Sequence, residues 1–90
     1  MGAIRIEKPS AEQLKQMGVY SWPIWQKETS TFDWHYDDQE SCYLLSGKVT
    51  VTPEGDKGVT FGAGDFVVFP KGMSCVWHIH EPVKKHYQFG

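Results

Sequence analysis

The sequence predicts an all-β domain, a small antiparallel sandwich or barrel with one short helix near its N-terminus. Two segments carry that expectation. Gly64-Asp65 is a tight-turn dipeptide, Phe66 to Phe69 is four β-favouring residues in a row, and Pro70-Lys71-Gly72 stops the run. Glu40 to Gly47 has matching features, an apolar run closed by glycine, and the two together suggest a barrel with a pocket. The third observation is the close spacing of eight or nine short strand signals with turn residues between them. No helices are left for parallel crossovers.

In chain order, Ile4 and Ile6 alternate with Arg5 and Glu7 in an opening strand that Pro9 breaks. Ser10 followed by Gln13 fits a capping box, Leu14 and Met17 supply an apolar edge, and Gly18 is a C-terminal stop, so a helix of two turns at most fits there. Trp22-Pro23-Ile24-Trp25 suits an edge strand or a strand start, and Trp34 and Tyr36 flank His35 in a second aromatic segment. Asp37-Asp38-Gln39 is a polar turn. Glu40 to Leu45 and Lys48 to Thr52 follow as strands on either side of Gly47, and Pro53 to Asp56 is a hairpin turn. Val59 to Phe61, Phe66 to Phe69, Cys75 to Ile79 and a stretch near His86 to Phe89 complete the set.

Ninety residues make one domain, 1–90, able to bury roughly 60% of its unfolded-chain surface. The longest apolar runs fall far below the roughly 18 residues of a membrane span, and no basic-then-apolar leader precedes Ile4, so the expected location is cytoplasmic. A net charge of -2 with scattered Lys and Arg gives no footprint for a nucleic-acid backbone. Four Trp, four Tyr and five Phe either fill a core or line a small-molecule cavity. Cys42 and Cys75 are too few for a disulfide framework and read as reduced thiols.

Period-two geometry places Glu40, Cys42 and Leu44 on one face of their strand, and Met73, Cys75, Trp77 and Ile79 on one face of another. These are the expected inward faces. His78 and His80 fall on the opposite side from Cys75 and Trp77, which makes them an exposed or interfacial pair, and His86 reads as a surface residue.

The spacing from Glu40 to Gly47, with six residues between, and from Gly64 to Pro70-Lys71-Gly72, with five between, resembles the paired motifs of the cupins. Among them the chain looks most like small stand-alone cupins related to the ureidoglycine aminohydrolase cupin domain. Trp22 to Trp25, Phe32-Asp33-Trp34, Phe69 to Gly72, Cys75-Val76-Trp77 and Glu81 to Tyr87 support this. The resemblance implies a jelly roll of the RmlC-like type. It also implies a homodimer, since many cupins pair through early strands such as the one holding Trp22 and Trp25.

The chain departs from the family's metal set. Where the first motif has two histidines, it offers Asp33 with His35 or Trp34 with Tyr36, and the histidine of the second motif is Cys75. His35, Glu40 and Cys75, with Asp33, remain as donors for a divalent transition metal such as Zn, Fe, Mn, Ni or Cu. If Trp34 and Tyr36 point inward instead, His35 faces out.

Without metal, Glu40 and Cys75 are the candidate catalytic or anchoring groups of an aromatic pocket, with Trp34, Tyr36, Cys42, Lys71 and Trp77 as ligand-binding residues. A nucleophilic Cys75 requires a base or cation to lower its pKa, and His35 or Lys71 are those available. Three readings follow. The chain binds a small molecule in its barrel; it is a metal-dependent enzyme of the ureidoglycine aminohydrolase or dioxygenase type; or it is a regulatory scaffold that works through its surface.

Overall fold

The computed structural model describes residues 3–90, and in it two long strands organise everything else. β4 (Glu40–Pro53) and β7 (Ser74–Phe89) pair antiparallel along their lengths, from Glu40 opposite Phe89 to Pro53 opposite Cys75. Shorter strands flank this ladder. β6 (Phe66–Phe69) and β5 (Val59–Gly62) take the free edge of β4, at Glu40 to Tyr43 and at Lys48 to Val51. β2 (Ile24–Lys27) and β3 (Ser30–His35) take the free edge of β7, at Val83 to His86 and at Ser74 to Ile79. β1 (Arg5–Glu7) closes the outer edge of β6.

The ladder is bent between these halves. Its register shifts between Leu44 and Val49, so β1-β6-β4-β7-β2 forms one layer and β5-β4-β7-β3 the other. Ring contacts across the interior show that the layers face each other: Phe69 of β6 lies 5.6 Å from Trp77 of β7 and 5.8 Å from Phe61 of β5. The result is the expected small antiparallel jelly roll with one short helix.

The strand count differs from the expected eight or nine, because neither Gly47 nor the stretch between Ile79 and His86, which holds Pro82, ends a strand. Gly47 adopts φ +106°, which a side-chain-bearing residue rarely reaches, and lies against the backbone of Pro82 and Val83. Pro82, which cannot donate to a ladder, falls in the same irregularity, between the pairs Ser46–Lys84 and Lys48–Glu81. Both residues bend a continuous strand.

The helix, α1 (Ala11–Met17), is capped as its sequence dictates. Ser10 Oγ accepts from Gln13 N at 3.2 Å, the Gln13 side chain accepts from Ser10 N, and Gly18 turns left-handed at the end. It covers the outer face of the first layer, where Leu14, Val19, Phe66 and Val68 form a satellite core. Val67 and Phe69 point instead into the main core with Leu44, Val49, Val51 and Ile79. β6 is therefore buried on both faces, which is why it reads as an unbroken apolar run rather than an alternation.

Lys8 and Asp65 tie the segment before α1 to the turn before β6, with Nζ 2.5 Å from Oδ1 while Oδ2 accepts from Gly62 N at 2.8 Å. Burial alone would raise the Asp65 pKa, but the ammonium and the amide outweigh it and hold the carboxyl below its ordinary 3.8. A depressed carboxyl stabilises the fold above its unfolded pKa and loses that contribution as pH falls through the folded value. Wild type is accordingly expected to lose more stability than Asp65→Asn between pH 7 and pH 3 in urea titrations. Equal losses would show that the tie contributes nothing.

Candidate functional site

The inner faces of β2, β3, β4 and β7 converge on a cavity of about 200 Å³ at the end of the barrel. Trp25, Phe32, Trp34 and Trp77 form its walls, and Glu40 and Lys85 are its only charged lining among the described residues. Tyr36, Tyr87 and Phe89 complete it, with Trp34 and Phe89 at the rim, 46% and 48% exposed. Register explains the wall: Phe32 lies opposite Trp77 and Trp34 opposite Cys75, so β3 points these rings to the same side as the inward face of β7.

Lys85 Nζ lies 2.5 Å from Glu40 Oε2, with both side chains about 95% buried, at 5% and 4% exposure. Aromatic faces surround the ammonium: the ring centroids of Trp77, Trp25 and Phe69 lie 4.7, 4.9 and 5.9 Å away. The pair reaches this depth because β7 keeps its alternation through the bend. Cys75, Trp77, Ile79, Val83, Lys85 and Tyr87 all face inward, and Glu40, Cys42 and Leu44 do so on β4. Tyr36 stacks on Phe69 at 4.9 Å and its hydroxyl accepts from Trp77 Nε1 at 3.1 Å. Burial, then the charge of Glu40, raises its pKa, so the phenol stays neutral.

The remaining expected site residues fall elsewhere. Trp34 and Tyr36 take the inward side of their segment, so His35 and Asp33 face out; His35 Nδ1 lies 2.8 Å from Ser74 Oγ on the exterior. Lys71 is exposed in its turn and does not line the cavity. Cys42 and Cys75 are buried in the core behind the walls. His78 and His80 are exposed as expected, with His80 Nε2 2.7 Å from Thr50 Oγ1. His86 is not a surface residue: it is 7% exposed, its Nδ1 2.9 Å from the Trp22 carbonyl oxygen. Trp22 and Trp25 are half-buried, Trp22 packing on Phe66 and Trp25 lining the cavity.

The donor set expected for a metal is not assembled. Among the described residues no three His, Cys, Asp or Glu side chains converge. Of His35, Glu40 and Cys75 only Glu40 lines the cavity, and the charge beside it is the Lys85 ammonium. The residues therefore do not fit a cupin metal.

Cys75 also lacks the activation a nucleophile requires. Burial and the Glu40 charge push its thiol up to about 11, and burial carries Cys42 up to about 12 despite an opposing effect of Lys85. At pH 8 Cys75 is therefore held as the neutral thiol. Disulfide reagents are expected to modify neither cysteine in the folded protein on the timescale that suffices in denaturant, and rapid modification of native Cys75 would contradict this.

Lys85 is the residue that sequence reasoning missed. Its signal was available: the alternation of Cys75, Trp77 and Ile79, continued past Pro82 rather than stopped there, puts Lys85 inside.

A family model described as the EutQ-like cupin domain matches residues 14–87. A DUF861 family protein from Thermotoga maritima is 52% identical, covers 98% of this chain and all of its own, and superposes with a TM-score of 0.96. The EutQ protein of Clostridium difficile is 21% identical with a TM-score of 0.67 over 73% of this chain, which spans 52% of it. A putative ethanolamine utilization protein Q from Salmonella typhimurium is 22% identical, with a TM-score of 0.67 over 98% of this chain and 69% of its own. These last two likenesses concern the fold alone. No curated protein matches. With the paired glycine motifs, the bent two-layer barrel and a family match over most of its length, the chain belongs to the EutQ-like cupin domain family.

Proposed function

We propose that this chain is a small-molecule-binding cupin that holds its ligand in the aromatic cavity, above the Glu40–Lys85 pair and without a metal. The observation that carries this reading is the buried ion pair itself, at the base of a cavity whose walls are otherwise rings. A buried pair is weak as a source of stability, and a few placed polar groups in an otherwise apolar pocket are what orients a ligand. The volume, about seven water volumes, suits a monocyclic molecule. In this reading Lys85, rather than the expected Cys75, stands with Glu40 as the anchoring pair. An enzyme of the ureidoglycine aminohydrolase or dioxygenase type has less support, because its metal would need donors that are not brought together here.

The test uses the four indole N–H signals of the ¹⁵N-labelled protein during a fragment screen. A ligand in this cavity is expected to shift Trp25, Trp34 and Trp77 and leave Trp22 in place. Trp34→Ala, which removes a half-exposed rim residue, should weaken binding while the fold persists. Ligands that shift only Trp22 or the exterior His78 and His80 would sink the reading and favour a surface function.

A further inference from the structure

The charge balance of the cavity restricts the chemistry of what it can hold. Among the described residues Glu40 and Lys85 are its only charged lining, they face each other at 2.5 Å, and both are about 95% buried. Their charges cancel. A ligand carrying one net charge would enter without a counter-charge, and burying an unpaired ion costs several kcal/mol. A ligand cation would meet the Lys85 ammonium, which already occupies the aromatic faces of Trp25 and Trp77, and a ligand anion would meet the Glu40 carboxylate.

The pair still offers polar contacts. Lys85 donates to Glu40 Oε2, and among the described residues Oε1 receives no hydrogen bond. No fully buried side-chain nitrogen or oxygen among those residues lacks a partner, so Oε1 is not sealed in the core, and the cavity is what Glu40 lines. An ammonium carries three donors, so Lys85 keeps N–H groups beyond the one given to Oε2. A donor and an acceptor thus stand side by side at the base of the cavity.

Resting on the cavity as the binding site, we propose that its ligand is an uncharged, flat, monocyclic molecule with an adjacent hydrogen-bond acceptor and donor, of the carboxamide or lactam kind. Its carbonyl accepts from Lys85 Nζ, its N–H donates to Glu40 Oε1, and its ring lies among Trp25, Trp34 and Trp77. The pair gives orientation and charge selection; the rings give affinity.

Three probes of one shape and different charge decide this: benzamide, benzoate and benzamidinium, titrated into the full chain at pH 7 and followed by the indole signals. Benzamide is expected to bind saturably and at least tenfold more tightly than either ion. In the Glu40→Gln/Lys85→Met double variant, verified as folded by its dispersed spectrum, that preference should fall below threefold. Benzoate or benzamidinium binding as tightly as benzamide would overturn the charge assignment and leave the cavity as the site. Failure of all three to move any of Trp25, Trp34 and Trp77 would overturn the cavity reading itself.

Discussion

Lys85→Met is expected to destabilise the protein by about 3–5 kcal/mol, while Glu40→Gln/Lys85→Met returns to within about 1 kcal/mol of wild type. The asymmetry follows from burial. Removing the ammonium leaves a carboxylate that is 96% buried with its nearest counter-charge gone, and the surrounding rings cannot solvate it. Removing both charges leaves a methionine and an amide of similar volume. In a domain of this size the single change corresponds to a fall in Tm of roughly 12–40 °C, a large share of the total stability. Urea titrations of the four proteins in the cycle measure it. A single variant within 1 kcal/mol of wild type would mean that Glu40 does not depend on Lys85, and the site would lose its defining contact. A recovered double variant separates the pair's role in the fold from its role in recognition, which is what allows that variant to report on ligand charge.

Much of the fold was legible because local and global signals agree. Ser10, Gln13 and Gly18 specify a helix start and stop that need no tertiary help, and Glu40, Cys42, Leu44, Cys75, Trp77 and Ile79 alternate as half-buried strands must. The site was legible only in part. Glu40 can be placed from spacing, but spacing alone leaves open whether His35 or the Trp34/Tyr36 pair points inward, and the partner of Glu40 lies 45 residues away, beyond the expected strand end at Ile79 and past Pro82. Strand rules describe straight ladders, in which proline costs a hydrogen bond. At a bulge no such bond is required, so Pro82 passes through and carries the alternation on to Lys85. His86 was misplaced for a related reason: Tyr20 and the Trp22 carbonyl cover the outer face of the last strand, and no local pattern announces that cover.

The bend that brings these residues together rests on one glycine, and Gly47→Ala is expected to cost more than about 3 kcal/mol. A Cβ there would lie 2.6 Å from the Pro82 carbonyl oxygen and 2.7 Å from Val83 Cα, with the Glu81 oxygen at 3.1 Å. All three are backbone atoms, so no side chain can swing aside. The φ of +106° adds strain of about 1–3 kcal/mol for any residue with a Cβ. Gly64→Ala is the control, since Gly64 also has a positive φ, +88°, but nothing within 4 Å of the added Cβ, and it should show the conformational cost alone. Denaturant titrations of the two variants separate strain from close approach, and equal losses would mean that the β4–β7 contact at the bend has room to spare. The effect should extend to the site: Lys85 pairs with Leu44, the last regular position before the register shifts, so backbone displaced at Gly47 moves the strand that holds the ammonium against Glu40. Any Gly47→Ala protein that still folds is therefore expected to shift the indole signals of Trp25 and Trp77 even without ligand, whereas Gly64→Ala should not.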